Sequence, residues 1–194
     1  MTRAFRLSPR TAGEVIAGVM MMLIVAGCSY ATRETDELKD GFDELMKRPN
    51  LTQVETDYEA MLQTIRERLV AEVGICGFRP ADEPMSGTFC GDDLTNVDGA
   101  QERYFNAGVS YGNLPDAKWD QAVAIVTEET RQHGFGEPKA LIDGPGDHEV
   151  SFRGRYGGSL LFGTGGGTIL TVWTGCHLTE EAHRHGTFRP PKEY

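Results

Sequence analysis

Residues 148–174, HEVSFRGRYGGSLLFGTGGGTILTVWT, contain the pattern that decides the fold. Residues 149–156 alternate between polar positions and apolar or glycine positions, which is typical of a strand with one buried and one solvated face. Gly157 and Gly158 are predicted to turn the chain. Residues 159–162 are predicted to form the returning strand, residues 163–167 a second turn, and residues 168–174 a third strand. We therefore predict a three-stranded antiparallel meander.

Two stretches before the meander have helical periodicity. The first carries one apolar stripe at steps of mostly three and four: Leu51, Val54, Tyr58, Met61, Leu62, Ile65, Leu69 and Val73. Its start is predicted by either of two capping-box pairs, Asn50 with Gln53 or Thr52 with Glu55, and Gly74 is predicted to end it.

The second stretch begins near Pro115 and ends before Gly134. Its apolar stripe consists of Trp119, Ala122, Val123, Val126 and Thr130. Residues 104–111 and 138–143 could add strands at the edges of the sheet. We predict an α+β fold, in which two amphipathic helices cover one face of an antiparallel sheet, and a single domain over residues 50–194.

The N-terminus has the order of an export signal. Arg3, Arg6 and Arg10 precede an apolar run at residues 15–27, which is shorter than the roughly 20 residues needed to span a bilayer. The following sequence, Val25-Ala26-Gly27-Cys28, resembles the lipobox of bacterial lipoprotein precursors. This resemblance implies that residues 1–27 are a signal peptide, cleaved between Gly27 and Cys28. It also implies that Cys28 carries an S-diacylglycerol group and an N-acyl chain, with palmitate among the fatty acids attached.

The charge of the chain limits its partners. After residue 27 there are 16 basic and 28 acidic residues, a balance that argues against nucleic acid and against electrostatic binding to anionic lipid. Attachment to the membrane is therefore expected to come from the covalent lipid. Residues 28–49 are predicted to be a lipid-anchored tether that ends in a short helix, with the domain on the extracytoplasmic face of the cell membrane.

Three cysteines besides Cys28 remain, and outside the cytoplasm thiols pair. Cys76 and Cys90 lie in an aperiodic segment rich in Gly, Pro, Asp and Ser. We predict a disulfide between Cys76 and Cys90, which would stabilise the fold by about 3 kcal/mol, and a free, buried Cys176. The two other pairings, each with Cys176, stay open.

No catalytic residue or cofactor is predicted, although three clusters carry residue types that could form a site. His177, His183 and His185, beside Glu180 and Glu181, could bind zinc or copper, but their spacing matches no known ligand pattern and favours solvated histidines. The acidic segment at 143–149, with His148, could be a calcium or acid–base site, but Asp-Gly-Pro-Gly-Asp is first of all turn chemistry. The glycine-rich loop at 163–168 leads into a strand and contains no lysine, so it is predicted to be a turn rather than a phosphate loop.

The layout as a whole resembles the small mycobacterial lipoproteins of the LppA and LppB type. The resemblance runs from the lipobox through two helices to a meander ending in WTGCHL at 173–178, and it assigns no activity. Our first hypothesis is a non-enzymatic envelope module that binds or scaffolds a protein or small-molecule partner. The alternatives are a carrier of a small apolar or lipid ligand and a metal-dependent hydrolase that uses the C-terminal histidines.

Overall fold

The computed structural model describes residues 33–91 and 94–190. Cys28, the signal peptide and the cleavage site lie outside these residues. The helices are 33–45 (α1), Leu51–Arg68 (α2), Asp116–Gln132 (α3) and Glu180–His185 (α4), and a π-helical turn, Leu69–Val73, continues α2. The strands are Phe78–Arg79 (β1), Met85–Phe89 (β2), Ala100–Tyr111 (β3), Lys139–Gly144 (β4), Asp147–Arg153 (β5), Gly157–Thr164 (β6), Gly167–Gly175 (β7) and His177–Leu178 (β8).

The strands form one antiparallel sheet in the order β1-β3-β7-β6-β5-β4, and β2 and β8 also pair with β3. The C-terminal meander is β5, β6 and β7, as predicted. The segment predicted at 104–111 belongs to β3, which pairs with strands on both sides, whereas β4 forms an edge of the sheet. The α+β architecture predicted from the sequence is confirmed.

Helix α2 begins where the capping box predicts. The Asn50 side chain accepts a hydrogen bond from the Gln53 N–H, and the Gln53 side chain accepts one from the Asn50 N–H, each at 3.0 Å. These bonds satisfy two backbone donors that a helix otherwise leaves unpaired. Gly74 ends the π-helical turn in the left-handed conformation, with φ at 80°.

The main core lies between one face of the sheet and helices α2 and α3. All eight residues of the predicted α2 stripe are buried. On α3, Ile125 is buried and Val123 is only partly buried. Ile125 therefore takes the place of Val123 in the predicted stripe. The sheet contributes alternate residues, as the pleat requires: Phe105, Ala107, Val150, Phe152, Leu160, Phe162, Leu170 and Val172.

A second cluster joins α1 and the C-terminal segment to the start of β3. Leu38, Phe42 and Leu45 of α1 pack there with Val97 and Leu178. The Phe42 and Phe188 rings contact each other with centroids 6.0 Å apart. The short helix of the predicted tether is therefore packed on the domain.

The disulfide joins Cys90 to Cys176, with Cα atoms 5.6 Å apart, and Cys76 is free and exposed. Our predictions of a Cys76–Cys90 bond and a free Cys176 were wrong, although Cys176 is buried. The register of β3 explains the pairing. Gln101, near the start of β3, pairs with Phe89 on one side and His177 on the other. Cys90 follows Phe89 and Cys176 precedes His177, so the two cysteines meet at the start of β3.

Cys76 lies at the other end of β3. Its carbonyl oxygen accepts a hydrogen bond from the Ser110 hydroxyl, and Ser110 is nine residues beyond Gln101. At about 3.3 Å per residue this distance is about 30 Å along the strand. No disulfide can span it.

Two local predictions were also wrong. The first hairpin turn lies at Arg155 and Tyr156, one or two residues before the predicted Gly157-Gly158. Gly158 instead packs on β7, because a Cβ there would lie 2.9 Å from the Thr174 carbonyl oxygen. Strands β1 and β2 fall in the segment that we expected to be an aperiodic loop. No described helix is long and apolar enough to cross a membrane.

Candidate ligand-binding site

A cavity of about 310 Å³ opens between the start of α2, the end of α3 and the β5–β6 turn. We call it the Tyr156 pocket. Its lining is dominated by side chains that carry charge or form hydrogen bonds. The lining residues are Pro49, Val54, Asp57, Tyr58, Arg131, Gln132, His133, Gly134, Arg155, Tyr156 and His177.

Tyr156 has an unusual backbone conformation. Its φ is 67°, and it is the only non-glycine residue with a positive φ in the described part of the chain. This conformation stores about 1–3 kcal/mol of strain, which often marks functional sites. The Arg48 guanidinium lies 5.1 Å from the centre of the Tyr156 ring and that of Arg155 lies 6.0 Å away, so two cations face the aromatic ring.

His177 forms the wall behind Tyr156. Its ring meets the Tyr156 ring edge-on at 5.6 Å, and its Nδ1–H donates to the Pro49 carbonyl oxygen at 2.9 Å. Burial lowers the pKa of this imidazole, and the backbone oxygens of Pro49 and Thr174 oppose the shift. Within the part of the chain that the structure describes, Nε2 of His177 and Nε of Arg48 are buried without a hydrogen-bond partner. Buried polar atoms without a partner are uncommon in folded proteins.

Tyr58 lies at the base of the Tyr156 pocket. Its ring is buried between Phe105 and Phe135, with centroids 6.5 and 5.5 Å away. Burial raises the pKa of its hydroxyl to about 12. A tyrosine hydroxyl with its ordinary pKa of about 10 is already protonated at neutral pH, and this one remains so. It can serve as a hydrogen-bond donor.

The three C-terminal histidines do not converge on a metal ion. Besides the His177 bond to Pro49, the His183 Nε2–H donates to the Arg48 carbonyl oxygen at 3.1 Å. These two histidines thus fix the α1–α2 linker onto β8 and α4. His185 lies 3.7 Å from the Glu181 carboxylate on exposed α4. Within the described residues no group of three or more His, Cys, Asp or Glu is placed to hold a metal.

The second predicted cluster is a junction between the β4–β5 turn and α3. His148 is buried, stacks on Trp119 at 5.0 Å and faces two carboxylates, with Asp143 at 3.1 Å from Nδ1 and Asp116 at 3.2 Å from Nε2. The Gly146 N–H also donates to Asp116, and together with His148 it lowers the pKa of that carboxyl group. Sequence reasoning missed Asp116, which is 32 residues from His148.

The glycine-rich loop is the β6–β7 turn, and it leads into a strand as predicted. Gly165 and Gly166 lie between the paired Thr164 and Thr168. No helix follows whose N-terminus could receive a phosphate, so the loop lacks the geometry of a phosphate cradle.

Sequence reasoning named only His177 among the residues of the Tyr156 pocket as a candidate site residue. The others come from α2, α3 and the β5–β6 turn, and they meet only because both helices pack on the same face of the sheet. The one available signal was the arginine–tyrosine pair at 155–156, next to a glycine pair in a predicted hairpin.

The chain resembles known proteins in its sequence family and in its fold. The family model LppA, described as a lipoprotein confined to pathogenic Mycobacterium, matches residues 26–180. The fold is similar to the crystal structure of lipoprotein LppA from Mycobacterium tuberculosis, with a TM-score of 0.55 and 15% identity over 83% of this chain and 99% of that one. A DUF4853 family protein from Actinomyces odontolyticus has a TM-score of 0.47 and 15% identity over 75% and 78%. No curated protein matches the sequence.

Proposed function

From the fact that the chain belongs to the LppA lipoprotein family, we propose that it is a lipid-anchored envelope protein that acts by binding a partner rather than by catalysis. Membership confirms the resemblance predicted from the lipobox and the element order. The family description names no activity, so the binding role is supported by the geometry of the Tyr156 pocket.

Anchoring is proposed to occur at Cys28 after removal of residues 1–27. The diacylglycerol group and the N-acyl chain would together place three acyl chains on Cys28. Three chains bind a bilayer stably, because each buried methylene contributes about 0.8 kcal/mol. Helix α1 is described from residue 33 onward and is packed on the domain. Five residues extend by less than about 20 Å, so the domain would stay close to the membrane surface on the extracytoplasmic face.

The observation that carries the binding role is the composition of the Tyr156 pocket. Its lining contains guanidinium, imidazole and phenol groups and one carboxylate, and its described residues include no serine, threonine or cysteine that could act as a nucleophile. A concave site with a few polar groups around aromatic side chains is the usual form of a small-molecule site. The strain at Tyr156 supports the same proposal.

The two alternatives receive less support. A carrier of apolar ligands would need space between the helices and the sheet, and that space is filled by buried side chains such as Phe152, Leu160 and Phe162. A hydrolase would need convergent metal ligands, whereas His177 and His183 bind backbone carbonyls.

The anchoring proposal is tested by replacing the lipidated cysteine. Wild type and Cys28→Ala are expressed in a mycobacterial host with a labelled fatty acid, and Cys76→Ala serves as the control because this thiol is also unpaired. We expect wild type and control to begin at an acylated Cys28, and Cys28→Ala to retain its leader and carry no label. Label on Cys28→Ala, or a mature wild type without acyl chains, would contradict the proposal. Failure of a membrane-impermeant amine reagent to modify the wild type on intact cells would contradict the extracytoplasmic location.

A further inference from the structure

We infer that the Tyr156 pocket binds a small soluble anion, with its carboxylate or phosphate group held by Arg155 and Arg131. The inference rests on the proposed binding role and names the chemical class of the ligand. It follows from the charge of the pocket, its free hydrogen-bond donors and its size.

The charge of the pocket is opposite to that of the chain. The sequence has 29 acidic and 19 basic residues, yet the lining includes two guanidinium groups, those of Arg131 and Arg155, against a single carboxylate, Asp57. A concave surface concentrates the field of the charges that line it. An anion is therefore attracted to this site although most of the surface repels it.

Both guanidinium groups are available to a ligand. Arg155 is exposed and forms no salt bridge with any other described residue. Arg131 pairs with Glu137 at 2.8 Å, but the two side chains are 63% and 74% exposed. A salt bridge that is this exposed contributes little free energy, so an incoming anion can replace the Glu137 carboxylate at Arg131. Guanidinium groups bind carboxylates and phosphates through two parallel N–H bonds, which favours these two groups over halides.

Tyr58 supplies a third donor. Its hydroxyl makes no hydrogen bond within the described part of the chain and lines the same pocket. A protonated phenol hydroxyl can donate to an anion oxygen. Such a donor can satisfy an oxygen that the guanidinium groups leave free.

The volume of about 310 Å³ limits the ligand. It lies at the lower end of the range of small-molecule pockets, which begins near 300 Å³. A short carboxylic acid or a small phosphorylated compound fits this space. A polymer would have to leave most of its length outside the pocket.

The inference is tested by isothermal titration calorimetry of the full-length processed lipoprotein in a non-ionic detergent. Inorganic phosphate and succinate are the anionic probes, glycerol is the neutral probe, and phosphatidylglycerol dissolved in the same detergent micelles represents a lipid headgroup. The variant is Arg155→Gln. Its matched control is Arg153→Gln, an exposed arginine of β5 whose side chain lies on the opposite face of the sheet. Thermal unfolding of both variants confirms that they are folded.

We expect saturable binding of phosphate or succinate, about tenfold or more weaker in Arg155→Gln and unchanged in Arg153→Gln. Equal weakening in both variants would overturn the site. Binding to phosphatidylglycerol alone, or to neither soluble anion, would overturn the ligand class. Mass analysis of the same sample establishes whether Cys28 is acylated, so a failed anion test on acylated protein leaves the anchoring proposal standing.

Discussion

Reduction of the Cys90–Cys176 disulfide should cost this domain a large part of its stability. The bond closes a loop with a sequence separation of 86 residues. In the chain-entropy model, a loop of that length stabilises the folded state by about 4.5 kcal/mol, since the cross-link restricts the unfolded chain. Both cysteines are buried among the side chains of the second cluster, so the native state can retain their packing after reduction.

The assay is chemical unfolding with guanidinium chloride, with and without a reductant, followed by the fluorescence of Trp119 and Trp173. We expect the reductant to lower the free energy of unfolding by up to about 4.5 kcal/mol and the melting temperature by about 10–15 °C. Cys76→Ala is the control, because Cys76 is exposed and free, and it should show the same sensitivity to the reductant as wild type.

The double variant Cys90→Ala with Cys176→Ala should be insensitive to the reductant. If Cys76→Ala abolished the sensitivity instead, the pairing in the structure would be wrong. If the reductant had no effect on wild type, the estimate from loop length would fail.

Two further predictions concern β3 and the pocket. Gly108→Ala should lower the free energy of unfolding in urea by about 2 kcal/mol or more, because φ is 89° and a Cβ would lie 2.1 Å from the Arg79 carbonyl oxygen. Gly112→Ala is the control and should lower it less, because φ is 102° but the space around it is open. Equal losses in the two variants would refute the clash. Burial lowers the pKa of His177 in the folded state. As the pH falls below about 6.5, this imidazole therefore becomes protonated in the unfolded state before it does so in the folded state, and the wild type loses stability. The stability advantage of wild type over His177→Asn should therefore shrink between about pH 7.5 and pH 5; a constant difference would contradict this.

The elements that could be predicted from sequence are those whose information is local. The α2 stripe, its capping box and its ending at Gly74 each lie within a few residues, and the structure confirms all three. Strand β5 was predictable for the same reason, because its alternation repeats every two residues. Strand β7 was predictable from its content of Ile, Leu, Val, Thr and Trp.

What could not be predicted depends on register between distant segments. Cys90 and Cys176 meet because β2 and β8 flank the same residue of β3, and no spacing in the sequence encodes that. Asp116 joins His148 only after α3 has packed on the sheet. The Tyr156 pocket combines residues from α2, α3, β8 and a hairpin turn, so its charge was invisible in a composition that is acidic overall.

Strand β3 obtains its pairing partners from both directions of the chain. Strands β1 and β2 precede it, whereas β7 and β8 begin 56 and 66 residues after its last residue, Tyr111. A polypeptide delivered with its N-terminus first, from the ribosome or across a membrane, therefore presents β3 with one unpaired edge until nearly the whole sequence has emerged. During that interval the strand is open to pairing with a neighbouring molecule, and the covalent link at Cys176 can form only at its end. For this architecture, the yield of correctly assembled protein depends on how fast the last third of the polypeptide is delivered.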